Sequence, residues 1–516
     1  MIFSQSLVAF VAAFGLFVDA APVWNPVATT SKGQISGAQG SAVTRYTMPY
    51  AQAPVGSLRF SRPEALSHFN GTGTYDGTQQ PKACLQNDPT GTREQSEDCL
   101  YMNIFKPNNI DWDQKLPVLV WVHGGSFTSG GIAEIDASKL AAAQKMIVVT
   151  VQYRLGMFGW LKYGRHGIQG NNGLRDVIMS LDVVKKDISA FGGDPSRVTL
   201  AGQSSGAQMV NALLSTPSAS SLFQRAIVQS APLDYAPQTS AVAESVGKTL
   251  VSDILGVPSR FKINGKASEE LLEGQNNLVL AAAFNQLPGV PQSEPFNILR
   301  DDGLVSGDGN TIVNTGKQVL YTTVRDEGCA AVYTGAAVAG ALGISPDDYE
   351  SLVGYSFPSR SQAILDSKVY DASYDGLVQL TTDFAWTCPT QRNALSAAGG
   401  STVYLGEFDL GIPAPTTENI PLCNGKVGHE DDISVVFNTP SNAVSPAQAN
   451  LVKEVQARWG AFARTGNPNP ASGFSQWPAL TASGELQVLQ LGNGSNGESS
   501  IATAQRTEGC SLYASL

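Results

Sequence analysis

The 516-residue sequence predicts an α/β fold, a mostly parallel central sheet with helices on both faces. Three observations predict it. Short apolar, β-branched runs recur along the chain, stretches with helical spacing separate them, and one less regular segment, from about 232 to 316, reads as a cap-like excursion over the sheet.

The runs are LPVLVWV (116 to 122), MIVVTVQY (146 to 153), RVTLAG (197 to 202), RAIVQS (225 to 230), KQVLYTTV (317 to 324) and STVYLGEF (401 to 408). Continuous apolar runs of this length, without polar alternation, are what strands buried on both faces require. Between them LRDVIMSLDVVKKDISAF (174 to 191) places Leu174, Val177, Ile178, Leu181, Val184 and Ile188 at helical spacing. No internal repeat, low-complexity tract or linker rich in Pro, Gly or Ser divides the chain. Residues 21–516 are therefore expected to form one domain, because the candidate catalytic residues spread from residue 123 to 429.

Composition narrows the class. A hydrophobic content of 42% and a charged content of 15% suit a soluble globular protein, and 33 Lys plus Arg against 44 Asp plus Glu give a formal charge of -11. No extended basic surface can neutralise phosphates, so nucleic acid is not an expected partner. No oligomeric state is predicted.

The first twenty residues, an apolar run with Val18 and Ala20 at the -3 and -1 positions, read as a secretory signal. The mature chain would then begin at Ala21. The run is shorter than the ~20 apolar residues that cross a bilayer and Asp19 interrupts its end, so an integral membrane protein is not expected. Export lets the six cysteines oxidise: Cys84 and Cys99 bracket a polar, turn-rich stretch suited to a short stapled loop, while Cys329, Cys388, Cys423 and Cys510 allow three pairings. Asn70 (NGT) and Asn493 (NGS) are glycosylation sequons that fit the same compartment.

The chemistry centres on Gly202-Gln203-Ser204-Ser205-Gly206. A Gly-x-Ser-x-Gly match arises by chance roughly 0.4 times in a chain of this composition, so its context decides. RVTLAG runs directly into the motif as a strand, and AQMVNALLS follows with helical spacing. That setting produces a sharp elbow that lifts a serine hydroxyl above the sheet. A serine hydroxyl is nearly inert until a base takes its proton, so a histidine is needed.

There are four histidines. His68 sits beside a sequon and reads as a surface residue, His166 lies in a Gly-rich loop, and His123 ends a strand ahead of two glycines. The chain order nucleophile, acid, base leaves only His429 after Ser204. An acid to fix the imidazole tautomer is supplied by KQVLYTTVRDEGC, with Glu327 the candidate and Asp326 its neighbouring rival. LPVLVWVHGGSFTSGG empties an apolar strand into a Gly-rich loop that could present backbone N–H donors to an oxyanion. Neither CxxC nor HExxH occurs and the histidines are dispersed, so no metal and no cofactor are expected.

Taken together these residues resemble the type-B carboxylesterase and lipase family, the cholinesterase-like α/β-hydrolases. The resemblance runs from about Gly33 to Cys510 through SEDCLYMNIFKP, HGGSF, QYRLGMFGW, GNNGLRD, FGGDPSRVTLAGQSSGA, RDEG, HEDDISVVF and WGAFARTGNPNP. It implies the α/β-hydrolase fold, a nucleophile at Ser204, an acid at Glu327, a base at His429, and an oxyanion hole made by the amides of Gly125, Ser126 and Ser205. It also implies a Cys84–Cys99 bridge and a second at Cys388–Cys510, leaving Cys329 with Cys423.

Three departures from the family's pattern are visible. Gln203 stands where the family usually has glutamate, Ser126 stands for the usual third glycine and adds a Cβ on the acyl side, and the Cys84 to Cys99 stretch is short and lacks any aromatic. The last argues against cholinesterase activity and against a long lipase lid. The expectation is a secreted serine carboxylic-ester hydrolase of small-molecule esters, favouring short or soluble ones. A triacylglycerol lipase is the alternative within enzymes, and a non-catalytic adhesion-type protein the alternative outside them.

Overall fold

Residues whose side chains are apolar without alternation form the middle of one large sheet. The computed structural model describes residues 25–88, 91–110, 114–283, 287, 294–308, 312–339, 345–482, 485–503 and 506–516. The signal segment expected at 1–20, with its cleavage point at Ala21, lies outside the described residues.

Twelve strands follow one another across the sheet: β1 (Val27–Thr30), β2 (Gly33–Gln39), β3 (Val43–Pro49), β4 (Tyr101–Pro107), β5 (Leu116–Val122), β6 (Ile147–Val151), β7 (Gly193–Gln203), β8 (Arg225–Gln229), β9 (Gln318–Val324), β10 (Thr402–Phe408), β11 (Gln487–Leu491) and β12 (Ser500–Thr503). Their spatial order is β1-β2-β3-β4-β6-β5-β7-β8-β9-β10-β11-β12, and a short thirteenth strand, Tyr75–Gly77, pairs with β2. From β6 to β11 every pairing is parallel, whereas β1 to β4 and β12 add antiparallel edges.

Burial explains the arrangement. All seven residues of β5 and all five of β6 are buried, as parallel strands covered on both faces must be. Helix α1 (Asn172–Asp187) and helix α2 (Ser205–Leu214) belong to one apolar layer, and helix α3 (Pro446–Thr465) to the layer on the opposite face, where Trp459 and Phe462 pack among Leu119, Trp121 and Phe408. This is the α/β-hydrolase fold.

The expected helix over 174–191 needs a correction at both ends. α1 begins at Asn172 and stops at Asp187, and Ile188–Phe191 tightens into a 3-10 turn that Gly192 terminates at φ 86°. The strand expected at 197–202 is longer, starting at Gly193.

The excursion from about 232 to 316 contains helices Ser240–Lys248, Arg260–Asn264 and Ser268–Ala283. Thr239 and Ser259 cap the first two by accepting the amides of Val242 and Lys262. The last docks closely on the sheet side: Gln275 Oε1 accepts the Met157 amide at 2.8 Å, and a Cβ on Gly156 would meet that same oxygen at 2.0 Å. Two stretches singled out in the sequence, QYRLG and NNGLRD, meet in a buried bidentate pair of Arg154 with Asp176 at 2.8 and 2.7 Å. No described helix is long and apolar enough to cross a membrane.

Candidate active site

The strand-turn-helix at Ser204 is tight because the residues two positions to either side, Gly202 and Gly206, have no side chains. β7 ends at Gln203, α2 starts at Ser205, and Ser204 between them sits at φ 56°, ψ -128°. Such a conformation in a non-glycine residue costs roughly 1–3 kcal/mol and persists only where the surroundings enforce it. Here Ser204 donates its amide to the Gln229 carbonyl at 3.0 Å and accepts from the Gln208 amide at 2.9 Å. A Cβ on Gly206 would stand 2.2 Å from the Val122 carbonyl oxygen, so only glycine lets the elbow press against the end of β5.

His429 reaches this elbow on a loop fastened by its own acidic neighbours. Asp431 accepts the Gly428 and Ala414 amides at 2.7 and 2.8 Å and the Thr417 hydroxyl at 2.6 Å. The imidazole Nδ1 meets Glu327 Oε2 at 2.6 Å, and its Nε2 lies 3.3 Å from Gln203 Nε2, on the residue before Ser204. Glu327 is fully buried, and its other oxygen accepts the Val324 amide at 2.9 Å. Asp326 points elsewhere, accepting from the Val427 amide and from Arg325 at 2.9 and 3.0 Å.

Burial disfavours the charged imidazole of His429, but the hydrogen bond and charge of Glu327, with Glu430 and Asp432 beyond it, override burial and raise its pKa. A carboxylate on Nδ1 also selects the tautomer with its lone pair on Nε2, the side that faces the elbow.

The Gly-rich loop after β5 folds back over the elbow. Gly125 takes φ 112°, and Ser126 and Phe127 take φ 50° and 59°. Ser205 is the first residue of α2, so no carbonyl one turn earlier can take its amide. Its side chain ties the two pieces together, because Ser205 Oγ accepts the Phe127 amide at 3.3 Å. His123 lies under the loop, with Nδ1 2.8 Å from the Gly124 carbonyl and its ring stacked on Tyr153 at 4.4 Å, and burial lowers its pKa to about 4. His166 is buried against the Tyr163 ring, while His68 is exposed beside Ser67.

All six cysteines are paired. Cys84–Cys99 closes the loop expected from sequence, Cys388–Cys510 bridges two helices, and Cys329–Cys423 links the turn after Glu327 to the loop that carries His429. Gly428 packs on that last bridge, where a Cβ would come 2.8 Å from Cys329 Sγ. Asn70 and Asn493 are both exposed.

The model of the carboxylesterase family matches residues 25–512. The chain belongs to that family. The carboxylesterase is 31% identical to the para-nitrobenzyl esterase of Bacillus subtilis (strain 168) over 479 residues, covering 88% of this chain and 92% of that one. It is 29% identical to the pyrethroid hydrolase Ces2a of Mus musculus, covering 90% and 88%. Among solved structures a thermophilic PNB esterase superposes with a TM-score of 0.80 at 27% identity, covering 95% of this chain and 100% of that one. The chain is thus a carboxylic-ester hydrolase of the α/β-hydrolase fold.

Several residues around the carboxylesterase's site were not found from sequence. Asp432 accepts from Gln229 Nε2 at 2.6 Å, Gln229 Oε1 accepts from Trp459 Nε1 at 3.0 Å, and burial pushes the Asp432 carboxyl up to about 7. The Trp386 ring stands 5.3 Å from the imidazole as a wall. Glu294, inside the cap excursion, is 7% exposed, and the Ser126 side chain and His429 favour its charged form. Asp432 lies in a quoted motif, three residues after His429. Glu294 lies in no motif and on no periodic face, so no sequence signal marks it. An open groove lined by Tyr235, Tyr355, Phe357, Leu377, Thr416 and Ile420 runs beside the site, joined to it where the Thr416 hydroxyl donates to Glu430 at 2.6 Å.

Proposed function

We propose that the chain hydrolyses esters through an acyl-enzyme on Ser204. His429 Nε2 takes the serine proton as Oγ attacks the ester carbonyl, then gives it to the departing alcohol. Glu327 orients the imidazole and stabilises its positive charge, and the amides of Gly125, Ser126 and Ser205 receive the oxyanion. Water then repeats the sequence on the acyl-enzyme. The observation that carries this reading is the 2.6 Å contact of Glu327 with His429 Nδ1, which leaves the opposite nitrogen beside the Gln203–Ser204 elbow.

Short or soluble esters are the favoured substrates, since the Cys84–Cys99 loop spans a separation of only 15 residues and offers little material for an interfacial lid. Activity should show no jump as substrate passes its solubility limit; such a jump marks the lipase alternative. Secretion is supported by three disulfides and two exposed sequons at Asn70 and Asn493.

The test is Ser204→Ala assayed on p-nitrophenyl butyrate. The expected result is a loss of at least ~10³-fold in kcat with binding retained. Wild-type hydrolysis by the variant would falsify the acyl-enzyme assignment.

A further inference from the structure

Glu294 is a buried carboxyl that the proposed reaction does not use. Its backbone is held against the elbow helix: Gln208 of α2 donates Nε2 to the carbonyls of Pro232 and Tyr235 at 3.1 and 3.2 Å, and Asn297 Nδ2 reaches the Tyr235 carbonyl at 3.5 Å. Gln238 Nε2 approaches the carbonyls of Glu294 and Pro295 themselves, at 3.5 and 3.4 Å. The backbone at Glu294 is thereby tied to the segment that the helix after Ser204 holds in place.

There the nearby Ser126 side chain and His429 both favour the charged carboxylate, yet Oε2 is buried with no partner among the described residues. An unpaired buried oxygen is costly, and an apolar side chain of similar shape would ordinarily serve stability better. Such a group is worth retaining where a substrate supplies the missing donor, because a site built around a hydrogen bond rejects analogues that cannot make it.

Resting on the acyl-enzyme reading above, the geometry points to Glu294 as a specificity-determining residue that selects esters whose acyl chain carries a hydrogen-bond donor, a hydroxyl or a protonated amine, near the carbonyl. The acyl side follows from position. The alcohol departs toward His429 Nε2 beside Gln203, whereas Glu294 is reached from Ser126, on the loop that receives the carbonyl oxygen. Burial pushes the Glu294 carboxyl up to about 7, while Ser126 and His429 hold it down, so near neutrality an arriving donor meets an acceptor that gains from being paired.

The test compares kcat/KM for methyl butyrate, methyl 3-hydroxybutyrate and methyl 3-aminobutyrate in the wild type, Glu294→Leu and Glu294→Gln, followed by pH-stat. The wild type should favour the two donor-bearing esters, and Glu294→Leu should shift that preference toward methyl butyrate by about tenfold or more. Glu294→Gln keeps a carbonyl acceptor and should retain the hydroxyl preference while losing the amine preference. Equal ratios in the active wild type and variants overturn this inference alone, as does a preference for 2-hydroxyethyl butyrate over propyl butyrate with no acyl preference. Failure of the wild type to hydrolyse any of these esters overturns the acyl-enzyme reading as well.

Discussion

Removing the Cys329–Cys423 bridge by the double substitution Cys329→Ala, Cys423→Ala tests whether the proposed acid, Glu327, and the proposed base, His429, are held by one covalent strut. The bridge closes a sequence separation of 94 residues. With that loop length, the lost restriction of the unfolded chain amounts to about 4.7 kcal/mol at 25 °C. The Cys388–Cys510 bridge does not shorten the loop, because the path through it from 329 to 423 is longer than the direct one. Unfolding entropy of ~2.1 cal/mol/K per residue over the 516-residue chain converts the loss to a fall in Tm of about 4–5 °C, read by differential scanning calorimetry. Cys329 lies two residues after Glu327 and Cys423 six before His429, so kcat on p-nitrophenyl butyrate should fall with little change in KM. A wild-type Tm would refute the entropic part of the reasoning. A wild-type kcat would show that the Glu327–His429 contact stands without the bridge.

Three further perturbations have a definite direction. Glu327→Gln should cost about 10³- to 10⁴-fold in kcat/KM; because the carboxylate raises the His429 pKa, and His429 can serve as the proposed base only when neutral, the acid limb of the pH profile should move to lower pH. Gln203→Glu puts a second carboxylate 3.3 Å from His429 Nε2, so the imidazolium is favoured and the same limb should move to higher pH. Gly206→Ala drives a Cβ to 2.2 Å from the Val122 carbonyl oxygen, and a loss of more than about 3 kcal/mol, seen as a collapse of soluble yield or Tm, is expected.

The parts of this molecule that were legible in sequence are those where one physical rule acts alone. Strands β5 to β10 were readable because burial on both faces leaves no room for polar residues, as in the wholly buried β5. The outer strands were not: β2, GQISGAQ, mixes glycine, glutamine and exposed positions, and it is held by pairing rather than by composition. At the site, the Ser204 elbow and His429 could be reached by motif and chain order. The choice of Glu327 over Asp326 came from the family resemblance alone, because adjacent carboxyls differ only in which way the turn after β9 points them. The Cys329–Cys423 pairing, across 94 residues, followed only as the remainder once the resemblance had paired the other cysteines, and Glu294 stands in a segment with neither period nor motif, so its place depends on tertiary structure alone.

The bridges Cys329–Cys423 and Cys388–Cys510 interlock rather than nest, since 388 falls inside the first loop and 423 inside the second. A protease that nicks the backbone anywhere between 329 and 510 therefore releases no fragment until the sulfurs are reduced. In an environment rich in peptidases the C-terminal part carrying Glu327 and His429 would survive such damage in one piece, and gels run with and without reductant after limited digestion would reveal the hidden cuts.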